Sequence, residues 1–377
     1  MSTPAPLLLV VDGNSLTHRA YYAGSPAVAH YAGSPAVAHY AGSPAAASSA
    51  RTPAAAFSAG ASATAGRADA EPPVWALRGL IGYIARAAAK LRPDAVVIGF
   101  DCPDESLRKA QYPAYKAHRP DKPADLDHQI RTAPGLLAQA GLTTVVARAH
   151  EADDVLASAA AHARRCGWRT VLMTSDRDAF ALIDESTSVL RIRNGGIDEA
   201  VLVTPQALLE VYGVHPWQYV DYAALRGDPS DNLPGVRGFG SATAARLLAE
   251  FGTVEAAWAD LDTGSGARVR SVVGEAAAQT LASPEARAIV ARNRALMRLR
   301  TDLPVPDLDD VRLPVDRFVL RRALAERGIY LGPSLWALTG GSPPPTPETL
   351  AQTAQPWVWR RSRRARRDPA PGQLALF

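Results

Sequence analysis

Four continuous apolar runs punctuate the chain: LLLVV at 7–11, AVVIGF at 95–100, TTVVA at 143–147 and TVLMT at 170–174. None alternates apolar with polar, so each suits a strand buried on both faces of a parallel sheet rather than one with a wet side. Ala-rich helical stretches separate them. Strands alternating with helices predict an α/β fold, a mostly parallel twisted sheet flanked by helices. From about residue 204 to 335 the strand pattern stops, and helices punctuated by Gly and Pro predict a second, all-helical region.

The predicted organisation is therefore a core of 1–22 and 73–203, an insert at 23–72, a helical region at 204–335 and a tail at 336–377. Residues 22–48 hold three nonapeptide units, the first two identical (YAGSPAVAH) and the third drifting at its end. Gly, Ser, Pro and Ala dominate up to about residue 73, leaving little apolar surface to bury, so a flexible excursion is expected. The Pro-rich tail is expected to be flexible as well.

Composition narrows the class. At 377 residues, 47% hydrophobic and 21% charged, the chain can bury one sizeable core and a smaller satellite. No stretch approaches the roughly 18 apolar residues of a membrane span. The run at 7–11 lacks a basic flank and a cleavage pattern, so secretion is not expected and the chain is read as a cytoplasmic monomer. Cys102 and Cys166 are too few for a disulfide framework and are read as buried thiols in a reducing compartment. The net charge of +4 is local: the octet 360–367 carries six arginines, so the remainder is net −2. Of only four lysines, three (Lys109, Lys116, Lys122) fall in one fourteen-residue window.

Each strand run leads into acids. Asp12 follows the first, Asp101 the second, Glu151, Asp153 and Asp154 the third, and Asp176 and Asp178 the fourth. Ligands of open α/β sheets bind at the carboxyl edge. Neighbouring parallel strands lie about 4.8 Å apart, so acids at their ends converge on a space the size of two ions. Hard carboxylate oxygens suit Mg²⁺ or Mn²⁺ rather than zinc. The competing account is that these acids are helix N-caps, and for any one strand it is the better one. It weakens where three acids share one helical turn at 151–154 and where Asp176 and Asp178 pair. Two ions about 4 Å apart can clamp a phosphodiester for hydrolysis. No GxSxG element, Cys–His arrangement or Walker-type loop offers a different chemistry.

Two further segments bear on substrate. Residues 108–122 interleave Arg and Lys with Tyr112 and Tyr115, which suits a single-stranded nucleic acid; a solvated helix face explains the charges equally well. In LPGVRGFGSATAARLL, Gly235, Gly238 and Gly240 permit a tight turn before a helix N-terminus, where backbone amides can approach a phosphate. A junction with packing value only is the alternative there.

In their order and spacing, VVDGNSLTHRAYYA (10–23), GFDCPDESLRKAQYPAYKAHRP (99–120), EADDVLAS (151–158), TSDRDAFAL (174–182) and ALRGDPSDNLPGVRGFGSATAARLL (224–248) resemble the 5′-3′ exonuclease domain of bacterial DNA polymerase I and its flap-endonuclease relatives. The resemblance covers most of 7–22 and 74–335. It implies a PIN-like nuclease core with a helical helix-turn-helix DNA-binding domain. It also implies two Mg²⁺ or Mn²⁺ ions on Asp12, Asp101, Glu151, Asp153, Asp154, Asp176 and Asp178, joined by Asp228 and Asp231. The segment at about 104–125 resembles the start of the family's helical arch. By that likeness Arg108 and Lys116 would meet the scissile phosphate, Tyr115 an unpaired nucleotide, and Arg19 and Arg119 the DNA backbone. Gly235, Gly238, Gly240 and Ser241 would grip duplex DNA, with a K⁺ ion as a further expectation at that turn. The last residues, with Gln373, Leu374, Leu376 and Phe377, resemble a peptide that docks on a sliding clamp. The implied activity is a structure-specific 5′ nuclease on flaps, nicks and gapped duplexes in primer removal and repair. The rivals are a non-catalytic junction-binding scaffold that recruits the clamp and an RNA-cleaving nuclease. The insert and the missing polymerase are the departures from the family pattern.

Overall fold

In the computed structural model, residues 4–24, 73–193 and 195–344 are described. The four apolar runs are strands β1 (Leu7–Asp12), β2 (Ala95–Phe100), β3 (Thr143–Val146) and β4 (Arg169–Thr174). In β1 and β2 every side chain is buried, as their unbroken apolar pattern requires. Two strands not anticipated complete the sheet: β5 (Thr187–Arg193) and β6 (Gly196–Val203). The order is β3-β2-β1-β4-β5-β6, parallel throughout except for the antiparallel β5–β6 pair at the edge. β1 therefore lies at the centre, and its carboxyl end has β2 on one side and β4 on the other.

Between the strands run α1 (Gly13–Gly24), α2 (Trp75–Leu91), α3 (Leu107–Gln111), α4 (Ala124–Gln139) and α5 (Ala152–Arg165). One face of the sheet packs Leu9, Val11, Ile98 and Leu190 against α2 and α4. The other packs Leu8, Val10 and Leu172 against α5, and that core continues into the helices beyond residue 204. These are α6 (Pro205–Tyr212), α7 (Tyr219–Arg226), α8 (Ser241–Phe251), α9 (Val254–Thr263), α10 (Ala267–Val273), α11 (Glu275–Ala282), α12 (Pro284–Met297) and α13 (Arg317–Ala325). Phe180, Tyr212, Tyr219 and Tyr222 form an aromatic cluster at the junction, edge-to-face except for the tilted Tyr219–Tyr222 pair, with ring centroids 5.5 to 6.4 Å apart. Met1–Ser342 accordingly forms one compact unit.

Neither cysteine is a buried thiol: Cys166 is exposed at the C-terminal end of α5, where the chain turns toward β4, and Cys102 is half-buried. Among the described residues no helix is long and apolar enough to cross a membrane. The nonapeptide units beyond residue 24 and the tail with Gln373, Leu374, Leu376 and Phe377 lie outside the described residues. At the base of the insert, the Trp75 indole N–H donates to the Tyr21 carbonyl at 3.2 Å, so the chain leaves and re-enters the fold at adjacent points.

Candidate metal and nucleic-acid site

The sheet order brings the carboxyl ends of β2, β1 and β4 side by side, and with them three buried or half-buried acids. Asp12 Oδ2 accepts from the Thr174 hydroxyl on β4 at 2.7 Å and Oδ1 from the Ser15 amide at 2.9 Å. The second bond is an N-cap of α1, so capping and site roles coexist in one side chain. Asp101 Oδ2 accepts from the Asn14 side-chain amide at 2.7 Å, and Oδ1 from the Ala152 amide at the start of α5 at 2.8 Å. Asp176 Oδ1 accepts from the Asp178 amide at 3.1 Å.

These acids are close enough to disturb one another's ionisation. Burial raises the Asp12 carboxyl to about 7, with the charges of Asp101 and Asp176 adding to it against the Thr174 and Ser15 hydrogen bonds. Asp153 is held well above the carboxylate range by burial, then by Asp12 and Asp176. Asp178 is raised likewise by burial, then by Asp176, Asp228 and Asp231. Asp101 is raised by burial first and by Glu151 in addition. The Asp153 Oδ1 atom is buried without a hydrogen-bond partner among the described residues. A buried lone pair without a donor, among like-charged oxygens, fits a hard divalent cation.

The acids do not all collapse onto one point. Among the described residues, no three His, Cys, Asp or Glu side chains close into a ready ion cage. Hydrogen bonds to Thr174, Asn14 and Ala152 hold Asp12 and Asp101 apart, as like charges require. Glu151 lies near enough to the cluster for its charge to raise Asp101 and Asp153, while Asp154 is engaged by other partners. Asp154 is 1% exposed and accepts both terminal nitrogens of Arg108, at 2.7 and 2.8 Å. It also accepts the amides of Arg300 at 3.0 Å and Glu151 at 3.2 Å. Four donors fill its lone pairs, and these partners, Arg108 chief among them, hold its carboxyl below the usual range despite burial. Arg108 also donates Nε–H to the Leu296 carbonyl at 2.8 Å, capping the end of α12. Its guanidinium thus joins α3, α5 and α12 in place of the open position expected for a phosphate contact.

Glu151 Oε2 accepts from the Lys116 ammonium at 3.0 Å and the Tyr115 hydroxyl at 3.1 Å. Tyr115 is 3% exposed and part of the core, so its ring is not open to stack on a base as expected; it lies 4.7 Å beneath the Lys116 ammonium instead. Lys116 stays cationic: burial opposes its charge, but Asp231, Tyr115 and Glu151 hold its pKa well above the ordinary value. Its backbone is left-handed (φ 56°), fixed by the hydrogen bond its amide N–H donates to the Asp231 carbonyl at 3.0 Å. Arg119 bonds the Asp231 carboxylate at 2.7 Å, and Asp228 accepts from the Ser230 amide and hydroxyl. The segment after α3 is thereby seated on the 228–232 loop.

The three glycines differ. A Cβ on Gly235 would lie 2.2 Å from the Arg226 carbonyl oxygen, so that residue serves close packing of two backbones rather than contact with a ligand. Gly238 takes φ 88°, and Gly240 faces open space before the exposed Ser241 that begins α8. Arg19 donates Nε–H to the Ser175 hydroxyl at 2.9 Å, at the same sheet edge. Sequence reasoning missed Asn14, which orients Asp101, and Thr174, which orients Asp12. Their only signal is polarity inside otherwise apolar, buried surroundings.

Comparison with known proteins places this geometry. Residues 54–213 match the model of the 5′-3′ exonuclease N-terminal resolvase-like domain, and residues 214–317 that of the 5′-3′ exonuclease C-terminal SAM fold. DNA polymerase I of Mycobacterium tuberculosis is 39% identical over 246 residues, 64% of this chain and 26% of that protein. The thermostable DNA polymerase I of Thermus thermophilus is 36% identical over 270 residues, 69% of this chain and 30% of the relative. The chain thus spans between a quarter and a third of the length of these relatives. Among solved structures, the T5 D15 protein crystallised with metal ions superposes with a TM-score of 0.53 at 18% identity, covering 85% of this chain and 98% of that one. The bacteriophage T5 D15 flap endonuclease in a pseudo-enzyme-product complex with DNA and metal ions gives 0.53 at 18%, covering 85% and 97%.

Proposed function

The chain belongs to the 5′-3′ exonuclease family, and from that premise we propose that it hydrolyses DNA phosphodiesters at 5′ ends, flaps, nicks and gaps by two-metal catalysis, as primer removal and repair require. The observation that carries the reading is the group of acids at the carboxyl edge of the sheet, among which burial first and neighbouring carboxylates second raise the pKa of Asp12, Asp101 and Asp153. A scaffold that only binds DNA has no use for such self-repelling groups, least of all beside a polyanion.

Asp12, Asp101, Asp153, Asp176 and Asp178 would hold Mg²⁺ or Mn²⁺, with Asp228 and Asp231 at the loop side. When bound, such ions activate water and stabilise a leaving oxygen. The chain's own groups set the stage. Asn14 and Thr174 fix the rotamers of Asp101 and Asp12. Lys116, fixed by the Asp231 carbonyl and Tyr115, keeps a full positive charge beside Glu151, where it can offset charge developing on a phosphate. Arg108 and Asp154 hold the first turn of α5, and so Asp153, in register with α12. The exposed N-terminus of α8 at Gly240 and Ser241 offers amides to a duplex phosphate, a grip that reads no bases and favours recognition of structure. Docking on a sliding clamp through the C-terminal peptide belongs to the same proposal, supported by that peptide's sequence alone.

Labelled 5′-flap, nicked and single-stranded DNA, each incubated with Mg²⁺ or with a chelator, test the reading. Cleavage of the flap and nicked duplex with Mg²⁺ and none with chelator is expected. Tight flap binding without any cutting at any Mg²⁺ concentration would assign the chain to the scaffold class.

A further inference from the structure

Four parallel strands deliver acids at their carboxyl ends, but the fifth ends differently. β5 closes with Arg191, Ile192 and Arg193. Arg191 pairs in register with Thr174, whose hydroxyl holds Asp12. Arg177 lies between Asp176 and Asp178, and Arg19 reaches the same edge at Ser175. Along the sheet edge the sign of the charge therefore changes from negative over β2, β1 and β4 to positive over β5.

The Arg191 side chain is built into place. Its guanidinium lies 5.9 Å over the Phe180 ring and donates to the Tyr212 hydroxyl at 3.4 Å, while its buried Nε–H has no acceptor among the described residues. Burial lowers its pKa, and the nearby charges of Arg177 and Arg193 lower it further. Arg268, Arg287 and Arg294 of the helical part each meet an acid within 2.6 Å. Among the described residues Arg177, Arg191 and Arg193 have no such ion pair. Guanidinium groups gathered without close ion pairs repel one another, and the planar fork each presents matches a phosphate.

We propose that Arg191 and Arg193 form a phosphate subsite that takes the substrate's nucleic-acid backbone on the β5 side of the acid row, away from the bond that is cut. The acids repel a polyanion, so a docking charge on their flank is what brings the backbone to them. The inference rests on the nuclease reading.

The test is binding of a 5′-flap DNA to the full chain, with Ca²⁺ in place of Mg²⁺, across a series of salt concentrations. In the double variant R191A/R193A the slope of log affinity against log salt is expected to fall by about 2, with affinity roughly tenfold weaker. A flap carrying one neutral methylphosphonate should abolish the difference between wild type and variant at one or two backbone positions and nowhere else. Arg193 is exposed, so R193A alone should lower the slope by about 1 at unchanged Tm, even where the double variant fails to fold. Wild-type slope in both variants, or an equal loss at every methylphosphonate position, overturns the subsite. The readout is separate from the nuclease reading: a wild-type chain that binds the flap but never cuts it with Mg²⁺ contradicts that reading, while the slopes still decide the subsite.

Discussion

Asp153 and Asp154 are neighbours in sequence, yet α5 points them about 100° apart, and their surroundings follow from that turn. Asp153 faces Asp12 and Asp176 with an oxygen that no donor meets, whereas Asp154 is saturated by Arg108 and two amides. Asp153→Asn should therefore lower flap cleavage by about 10³-fold or more, the scale of losing an electrostatic catalytic group, with flap binding in Ca²⁺ largely retained. Asp154→Asn should act first on stability, because it leaves the buried Arg108 guanidinium with only the more distant Glu151, at 3.4 Å, as counter-charge. A loss of about 3 kcal/mol is expected in denaturant unfolding, while Mn²⁺ affinity measured by calorimetry on the folded variant stays near wild type. If D154N folds normally and loses Mn²⁺, Asp154 is a ligand after all.

The same residues fix a pH dependence. The folded-state pKa of Asp12 is raised from 3.8 to about 7, and those of Asp153 and Asp178 are raised as well. The native state thus binds these protons more tightly than the unfolded state. The contribution of Asp12 to stability is full below about pH 4 and is lost as pH rises through about 7, and Asp153 and Asp178 act in the same direction. A divalent cation that replaces those protons reverses the trend. Thermal unfolding should show Mg²⁺ raising Tm more at pH 8 than at pH 5. Equal gains at the two pH values would separate cation binding from these carboxyls.

At the level of elements, β1, β2 and most of β4 are buried on both faces as their apolar pattern predicts, whereas β3, equally legible, lies at the sheet edge half-buried with Val146 exposed. β1 and β2 could be read because nothing polar interrupts them. β5 (TSVLRIR) could not: it carries Arg191 and Arg193 where it meets the site, and the edge strand β6 leaves Asp198, Glu199, Val201 and Leu202 exposed. The acids could be placed at strand ends, but not divided between cation and arginine. That division rests on contacts such as Asp154 with the Arg300 amide, 146 residues apart, which no local pattern announces. Gly235 was legible as a tight turn and not as the point where the backbone of 226–227 passes within van der Waals contact. Gly235→Ala should accordingly destabilise by about 1–3 kcal/mol, seen as a lower denaturant midpoint. An unchanged midpoint would mean that the loop is free to yield, and would return Gly235 to the candidates for phosphate contact.

For the whole molecule, Gly24 and Trp75 sit together, with a Cβ on Gly24 falling 3.4 Å from the Trp75 ring. Residues 25–72 thus span a gap that a few residues can bridge. Replacing them with a six-residue Gly/Ser linker removes about three doublings of loop length, which should stabilise the fold by roughly 2 kcal/mol. A large loss of Tm on excision would instead make the insert part of the core.

The helices beyond residue 204 share a core with the sheet, and both Arg108 and Lys116 bind across that junction, so the acid row and the glycine turn at 235–240 are held by one scaffold. The proposed function unites these parts around a centre for divalent cations at the carboxyl edge of β2, β1 and β4. Anomalous diffraction from crystals of the full chain soaked in Mn²⁺ tests it most directly. Peaks within coordination distance of Asp12, Asp101, Asp153, Asp176 and Asp178 are expected. Crystals with well-ordered acids and no peak among them, or with a peak only beside Asp154 and Arg108, would contradict it.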